Sequence, residues 1–392
     1  LTRSEITSDL CHLEGGLVFH SESRGKKGYS GVCICVREGY MPKSVQRCFP
    51  DPVKDLERIR QALDDLFELS LSHCEITDLI ELLESEGRLL MLCYETVWLL
   101  DVYCPALSSG EEERYRAKCV FHLLLSLTAS HAQLQQIELI ILGDFNVAHT
   151  RRDHPDPEGW EMDAYCRHLA EMAKDDGNEA RKEGKEEEEE EKGKEKQKEK
   201  LSVQRVCFED NPFRQWMSSL LTTGQLGDSW RWIHPQGEQV FSCWNTLKGC
   251  RQTNYGTRID YICLSNRWKD RVTQASIEME QGGSDHAPLW VDISEREPFP
   301  WKMDSTACTA LIQSSAGAQP EWRGRPARID GFLKRSADIA PPEIPIPPFP
   351  KPQKKSRRVT GPRQPKITAF FGRNDQQSNN GGGERAADMD NG

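Results

Sequence analysis

The stretch Glu138-Leu-Ile-Ile-Leu-Gly143-Asp144-Phe145-Asn146 decides how the rest of the chain reads. Five residues, four of them large and apolar, form a run too short for a buried helix and long enough for a buried strand. Gly143 lets the backbone turn tightly at its end, and the period of two then sets Asp144 and Asn146 on one side. A carboxylate and an amide placed together suit a hydrated divalent cation and a phosphate oxygen. A buried strand feeding a polar loop is also where α/β enzymes carry their chemistry. Taken alone, the motif is equally compatible with an ordinary turn.

Outward from this strand, helix-like and strand-like segments alternate. Glu111 to Leu127 has helical apolar spacing through Tyr115, Val120, Leu123 and Leu124. Leu89 to Pro105 reads as two strands broken near Glu95, and Gly28 to Val36 as a strand entered by a glycine turn. Downstream, Asn211-Pro212 supplies an N-cap followed by proline at the first helical position, starting a helix to Leu221. Strands are expected over Glu238 to Trp244, Arg258 to Leu264, Thr273 to Met279 and Pro288 to Ile293. Between about 173 and 200 the chain is dominated by Glu, Lys and Gly, with six consecutive glutamates from Glu186 to Glu191. That block has no apolar face to bury, so it reads as a surface insertion, either a solvated helix or disordered. After 297 the chain turns rich in Pro, Gly, Ser and Arg, including Pro-Pro-Glu-Ile-Pro-Ile-Pro-Pro-Phe-Pro from Pro341. The expected organisation is a folded domain over 1–297 and a disordered tail over 298–392.

Composition narrows the function classes. At 37% hydrophobic and 29% charged residues, the chain fits a globular domain with solvated segments, and no apolar run reaches the ~20 residues of a membrane span. No membrane association is expected. The 14 cysteines include no Cys-x₂-Cys pair, although Cys33 and Cys35 share one face of a strand. No leader is visible, so reduced thiols in the cytosol or nucleus are expected. A net charge of −11 argues against a protein that coats nucleic acid, yet 351–373 is basic and contains no acid. A protein that holds nucleic acid in a groove needs positive potential only there.

Two further motifs carry chemistry. Gly283-Ser-Asp285-His286 places an imidazole beside a carboxylate, which suits a general base, a phosphate contact or a metal ligand, or else a plain Ser/Asp turn. In Asn254-Tyr-Gly-Thr-Arg258-Ile259-Asp260-Tyr261 the carboxylate sits mid-strand between apolar neighbours. Burying it is costly unless it is paired, and a protonated His is the natural partner. The alternative is simple alternation, with Arg258 and Asp260 both facing water.

In order, Gly143-Asp-Phe-Asn-Val-Ala-His149, Asn254-x-Gly-x-Arg-Ile-Asp-Tyr261 and Ser284-Asp-His-x-Pro288 resemble the endonuclease/exonuclease/phosphatase superfamily. More closely they resemble the exonuclease III branch of apurinic/apyrimidinic endonucleases. Gly28-Tyr-Ser-Gly-Val32, Ser85-Glu-Gly-Arg88, Val102-Tyr-Cys-Pro105 and Phe241-Ser-Cys-Trp244 fit the same order, and the likeness runs from residue 1 to about 293. The resemblance implies a four-layered α/β sandwich of two packed, mostly antiparallel sheets. It implies a Mg²⁺-dependent nuclease, with Mn²⁺ as a substitute, acting in base excision repair. Its substrates would be double-stranded DNA with abasic sites or damaged 3′ ends, cut 5′ to the abasic site or shortened from the 3′ end. Asp144 would orient or deprotonate the attacking water, and Asn146 would hold the scissile phosphate. His286, oriented by Asp260, would stabilise developing charge, with Tyr103 touching the phosphate or leaving oxygen. Asp144, Asn146, Asp285 and His286 would be the metal contacts. Tyr29 and Arg88 would grip flanking phosphates, Trp244 and Ile259 would wall a pocket for a base-free sugar, and Asn254 would contact substrate.

Gln364-Pro-Lys-Ile367-Thr-Ala-Phe370-Phe371 matches the box that binds the sliding clamp PCNA, in which one helical turn inserts Ile367, Phe370 and Phe371 into an apolar pocket beside Gln364. It could also be a chance aromatic pair. Domain, proline-rich linker and clamp box in this order resemble the second eukaryotic type of the enzyme. A monomer working in the nucleus, with a mitochondrial pool, is the corresponding expectation, and Lys354-Lys-Ser-Arg-Arg358 suits nuclear import. Three departures stand out. The family's first Asn and its Gln-Glu metal ligand belong upstream of Leu1. Asp101 stands where relatives often carry a neutral residue, and Thr257 where the better-known type carries Trp. The small Cys/His zinc finger that usually ends the second type has no counterpart after Cys308. A catalytically impaired clamp-binding adaptor is therefore the rival reading, together with other phosphodiesterases of the superfamily.

Overall fold

The apolar run at 138 does become a strand, near the centre of a six-stranded sheet in the computed structural model. The structure describes residues 6, 11, 14–25, 29–37, 39–107, 112–162 and 207–294. The sheet order is β3 (Ser44–Gln46), β4 (Leu89–Cys93), β5 (Val97–Tyr103), β6 (Glu138–Asp144), β10 (Asp260–Ser265) and β7 (Leu226–Asp228). Only β5 and β6 run parallel. Parallel neighbours need a long crossover, and α3 (Glu112–Leu134) supplies it.

Alternation along the central strands divides the core into two faces. Leu89, Met91 and Cys93 point to one side of β4 and Leu90 and Leu92 to the other, while Ile141 and Ile140 divide β6 in the same way. Against the first face pack α1 (Leu56–Phe67), α2 (His73–Ser85), α3 and α4 (Pro212–Thr223), through Leu63, Ile76, Leu124 and Trp216. The second face meets a layer of two-stranded ribbons, chiefly β1 (Gly16–Ser21) with β2 (Val32–Arg37) and β11 (Val272–Ile277) with β12 (Leu289–Ile293). A small third core under β8 (Cys243–Trp244) and β9 (Gly256–Thr257) joins Trp230, Phe241, Trp244 and Ile277. The expected packing of two mostly antiparallel sheets is thus met by one continuous sheet and a facing layer of ribbons.

Local chemistry explains the helix ends. Asn211 caps α4 through its side-chain oxygen, with Pro212 at the first position, as expected. Asp55 caps α1, and Ser72 and Glu75 close α2 with a reciprocal capping box. One expected strand is shortened: of 238–244, only Cys243–Trp244 pairs, because Gln239 takes a left-handed conformation (φ 55°) that breaks the extended backbone.

The two ends of the acidic segment meet. The Phe208 N–H donates to Glu161 Oε1 at 2.8 Å, Arg151 donates to the same oxygen at 2.6 Å, and Arg214 stacks on both Trp160 and Phe208. The insertion near 173–200, the tail over 298–392 and the box at 364–371 lie outside the described residues. Among the described residues no helix is long and apolar enough to cross a membrane, and all twelve cysteines are free.

Candidate active site

Strand register assembles the site before any loop is considered. Tyr103 at the end of β5 is the Cα partner of Asp144 at the end of β6, and Asp144 is the partner of Asp260 at the start of β10. The Tyr103 N–H also donates to Arg88 O at 2.9 Å, so four chain segments contribute to one row. By alternation Asp144 and Asp260 point to the same face as Leu142 and Ile262. This places two carboxylates side by side at the end of the central strands.

Gly143 makes the row possible. Its φ is +124°, and a Cβ there would lie 2.1 Å from the Val102 carbonyl oxygen of the neighbouring strand. Beyond it, Asn146 adopts φ 51°, a conformation that Asn tolerates better than most side chains. Its N–H donates to Asp144 Oδ1 at 2.8 Å and its amide nitrogen to Asp144 Oδ2 and Cys104 O, both at 2.9 Å. Both oxygens of Asp144 are therefore oriented.

His286 closes the constellation. Its Nδ1 lies 2.8 Å from Asp260 Oδ2, the pairing expected of this carboxylate, which stands at the start of β10 and not mid-strand. Ser242 braces the pair: its hydroxyl donates to Asp260 Oδ2 at 2.7 Å and accepts from the Ile259 and Asp260 N–H groups. The loop carrying His286 is pinned beside β8 by Trp244 N–H to Asp285 O and Ala287 N–H to Ser242 O. Burial alone would lower the basicity of His286, but hydrogen bonds with Asp260 and Cys243 raise its pKa to about 11. The ring is a cation through the neutral range. Burial, reinforced by Asp260, lifts Asp144 to about 7.

Arg258, which alternation could have sent to solvent, is 1% exposed. Its guanidinium donates to Asp153 at 2.7 Å and Asp228 at 2.6 Å, and Arg231 adds a second bond to Asp153. This buried cluster anchors the turn that leads into Asp260. Beneath Asn146, Lys118 Nζ donates to Pro105 O at 2.8 Å and Asn146 O at 3.2 Å, and burial lowers its pKa to about 8. Sequence reasoning assigned no role to Lys118, Asp153 or Ser242. Only Ser242 lay in a recognised motif.

The other expected substrate contacts are tied into the hydrogen-bond network of the fold. Arg88 is 2% exposed, stacks over Tyr103 and donates to Glu86, Tyr29 Oη and Tyr103 O. Arg114 binds the same Glu86 and Tyr29, and these side chains border a cavity of about 670 Å³ next to Tyr103. Asn254 is committed at both amide atoms, donating to Gln239 O and accepting from Trp244 Nε1. Trp244 itself is 2% exposed behind β8 and β9, so Cys243, its neighbour, faces His286. Ile259, half-buried, follows Arg258 at the turn into Asp260.

Ligand atoms of Asp144, Asp260 and His286 lie within 4.8 Å of one another, as do those of Cys243, Asp285 and His286. Paired carboxylates with a cationic imidazole, at the end of central strands that feed a polar loop, define a hydrolase-type site for phosphate esters. Residues 4–286 match the Endonuclease/Exonuclease/phosphatase family, and the chain belongs to it. It is similar to the mouse protein "DNA-(apurinic or apyrimidinic site) endonuclease 2", with 27% identity over 338 residues, covering 81% of this chain and 55% of that protein. Similarity to an "Exodeoxyribonuclease" of Bacillus subtilis is 29% over 213 residues, 54% of this chain and 66% of that one. The crystal structure of the Xenopus laevis APE2 catalytic domain superposes with a TM-score of 0.53 at 24% identity, covering 82% of this chain and 88% of that one, and so shares its fold. The chain spans about half the length of the curated endonuclease 2 relatives it matches in mammals.

Proposed function

We propose that the chain is a DNA-repair nuclease that hydrolyses the phosphodiester 5′ to abasic sites and trims nucleotides or blocked ends from 3′ termini. The observation that carries this reading is the adjacency of Asp144, Asp260 and His286 at the end of the central strands, with Tyr103 beside them. The names of the endonuclease 2 and exodeoxyribonuclease relatives support DNA as the substrate class.

Two carboxylates crowded at these strand ends concentrate negative charge in a poorly solvated place, and hard oxygen donors fit Mg²⁺, with Mn²⁺ as a substitute. Asp144 and Asp285 would hold the ion, with Asn146 and His286 at its margin. When bound, such an ion neutralises phosphate charge and makes water a better nucleophile. The chain's own residues do the rest. Asp144, oriented by both donors of Asn146, positions the attacking water and takes its proton. The His286 cation, held by Asp260, stabilises charge on the phosphate, and Tyr103 contacts the phosphate or the departing oxygen. The Tyr29, Arg88 and Arg114 cluster lines the groove next to Tyr103, where flanking backbone phosphates would lie. Gln364, Ile367, Phe370 and Phe371 would tether the enzyme to PCNA, in a monomer acting in the nucleus.

The test is a labelled duplex with one abasic site and a second with a recessed 3′ end, incubated with the purified chain and Mg²⁺. Cleavage abolished by chelator and by His286→Gln supports the proposal. Intact substrate together with calorimetric binding to the clamp would instead establish an adaptor.

A further inference from the structure

Cys243 has no part in the hydrolysis described above, yet it faces the residue on which that hydrolysis depends. Its Sγ, a ring nitrogen of His286 and a carboxylate oxygen of Asp285 lie within 4.8 Å of one another, near enough for small side-chain adjustments to bring all three onto one cation. We infer that Cys243, Asp285 and His286 form a binding site for a thiophilic divalent cation of the Zn²⁺ class, which shares Asp285 and His286 with the Mg²⁺ site proposed above and differs from it by the Cys243 sulfur.

Three features build the site. The backbone is fixed: Cys243 and His286 face each other across an isolated antiparallel bridge, flanked by Trp244 N–H to Asp285 O at 3.0 Å and Ala287 N–H to Ser242 O at 2.7 Å. The ligands therefore need little ordering when a cation enters. The imidazole is also preset. Asp260 occupies Nδ1 at 2.8 Å, leaving Nε2 for a metal, the carboxylate–histidine–metal relay common at zinc sites. Ser242 in turn holds Asp260. Finally, the donors are one sulfur, one nitrogen and one oxygen. Mg²⁺ avoids thiolates and demands octahedral oxygen, whereas Zn²⁺ takes such a mixed set tetrahedrally, with water in the fourth position. Asp285 is exposed and Cys243 half-buried, so an ion can enter from solvent. On binding, the Cys243 thiol and the His286 Nε2–H each release a proton to solvent as the metal–sulfur and metal–nitrogen bonds form.

Zn²⁺ in this site would claim His286 and deny it to a substrate phosphate. Binding would occur whatever the chain hydrolyses; only the inhibition rests on the proposed nuclease activity.

The experiment uses the full chain, stripped of metal with a chelator and titrated with Zn²⁺ in competition with a chromogenic chelator. A parallel Co²⁺ titration reads the near-ultraviolet sulfur-to-cobalt band. Cys243→Ser should lose one tight equivalent and part of that band. Cys33→Ser combined with Cys35→Ser, which removes the exposed pair on β2, should retain both. Asp260→Asn should weaken the site by about 10–100-fold, as loss of an outer partner does. Circular dichroism of Cys243→Ser and Cys243→Ala guards against misfolding, and the two must agree. Unchanged Zn²⁺ stoichiometry and affinity in both folded variants would overturn the site. If binding is lost but micromolar Zn²⁺ inhibits wild type and Cys243→Ser equally, the inhibitory consequence is overturned while the site stands. An absence of cleavage in every form would count against the nuclease reading and leave the binding result intact.

Discussion

Asp144 and Asp260 are direct partners across the antiparallel seam between β6 and β10, two carboxylates set side by side by strand register. Like charges placed opposite each other weaken a sheet, so the pair is tolerated because His286 supplies a cation to one member and burial leaves the other only weakly acidic at neutral pH.

Asp260→Asn tests that relationship through catalysis. It keeps the shape and removes the charge that holds His286 protonated and oriented. On an abasic duplex, kcat should fall by about 10²–10⁴-fold with KM little changed, the range typical of lost acid–base or electrostatic groups. A drop smaller than about tenfold would remove Asp260 from the mechanism.

Arg258→Met tests the buried ion cluster through stability. Asp153 is fully buried, Asp228 nearly so, and each depends on Arg258. Removing one partner of a buried pair costs about 3–5 kcal/mol, so the urea midpoint should fall sharply. A midpoint within error of wild type would show that Arg231 alone suffices for Asp153.

Gly143→Ala should be among the most damaging small substitutions in the domain. The added methyl meets Val102 O at 2.1 Å, and φ of +124° is foreign to alanine. Because both β5 and β6 would have to shift, thermal unfolding and cleavage should fall together. Retained activity with a lowered melting temperature would separate the strand ends from the chemistry.

A pH prediction follows from Asp101. Burial raises its pKa to about 7, against roughly 3.9 in an unfolded chain. Between those values the folded state holds the proton and the unfolded state has lost it. Stability therefore falls as pH rises from about 4 to about 7 and is level outside that window. Asp144 contributes with the same sign. Asp101→Asn should flatten part of the slope in a melting series across this range, and an unaltered slope would show that its carboxyl is better solvated than its burial implies.

How much of this was legible beforehand depends on the kind of signal. Asp144, Asn146, Asp260 and His286 sit at motif positions, and the period of two at 138–146 was enough to place the first pair on one side. The Asp260–His286 pairing followed from the cost of a bare buried carboxylate. Arg258 was harder: its partners, Asp153 and Asp228, are 105 and 30 residues away, and sequence spacing carries no trace of that cluster. Trp244 and Arg88 were read as substrate contacts because their motifs resemble binding motifs. Their burial, 2% exposed in each case, is set by packing and could not be read from those motifs. The two helices over 56–85 were legible too: Ile59, Leu63 and Phe67, and Ile76, Ile80 and Leu83, keep helical spacing, and Ser72 with Glu75 is a readable cap. Lys118 lies in a helix that is buried nearly all round, where one lysine gives no hint of what lies beneath it.

The hydrogen bond from Phe208 to Glu161 has a consequence for protein engineering. Residues 161 and 208, which flank the acidic segment in sequence, are hydrogen-bonded to each other, so the chain leaves and re-enters the described fold at one point. Loop-closure entropy grows only with the logarithm of length, so replacing that segment by a short glycine-serine linker, or by a fluorescent or affinity domain with adjacent termini, should leave the strand ends undisturbed. The natural chain has in effect already performed such a graft, with an acidic sequence as the cargo.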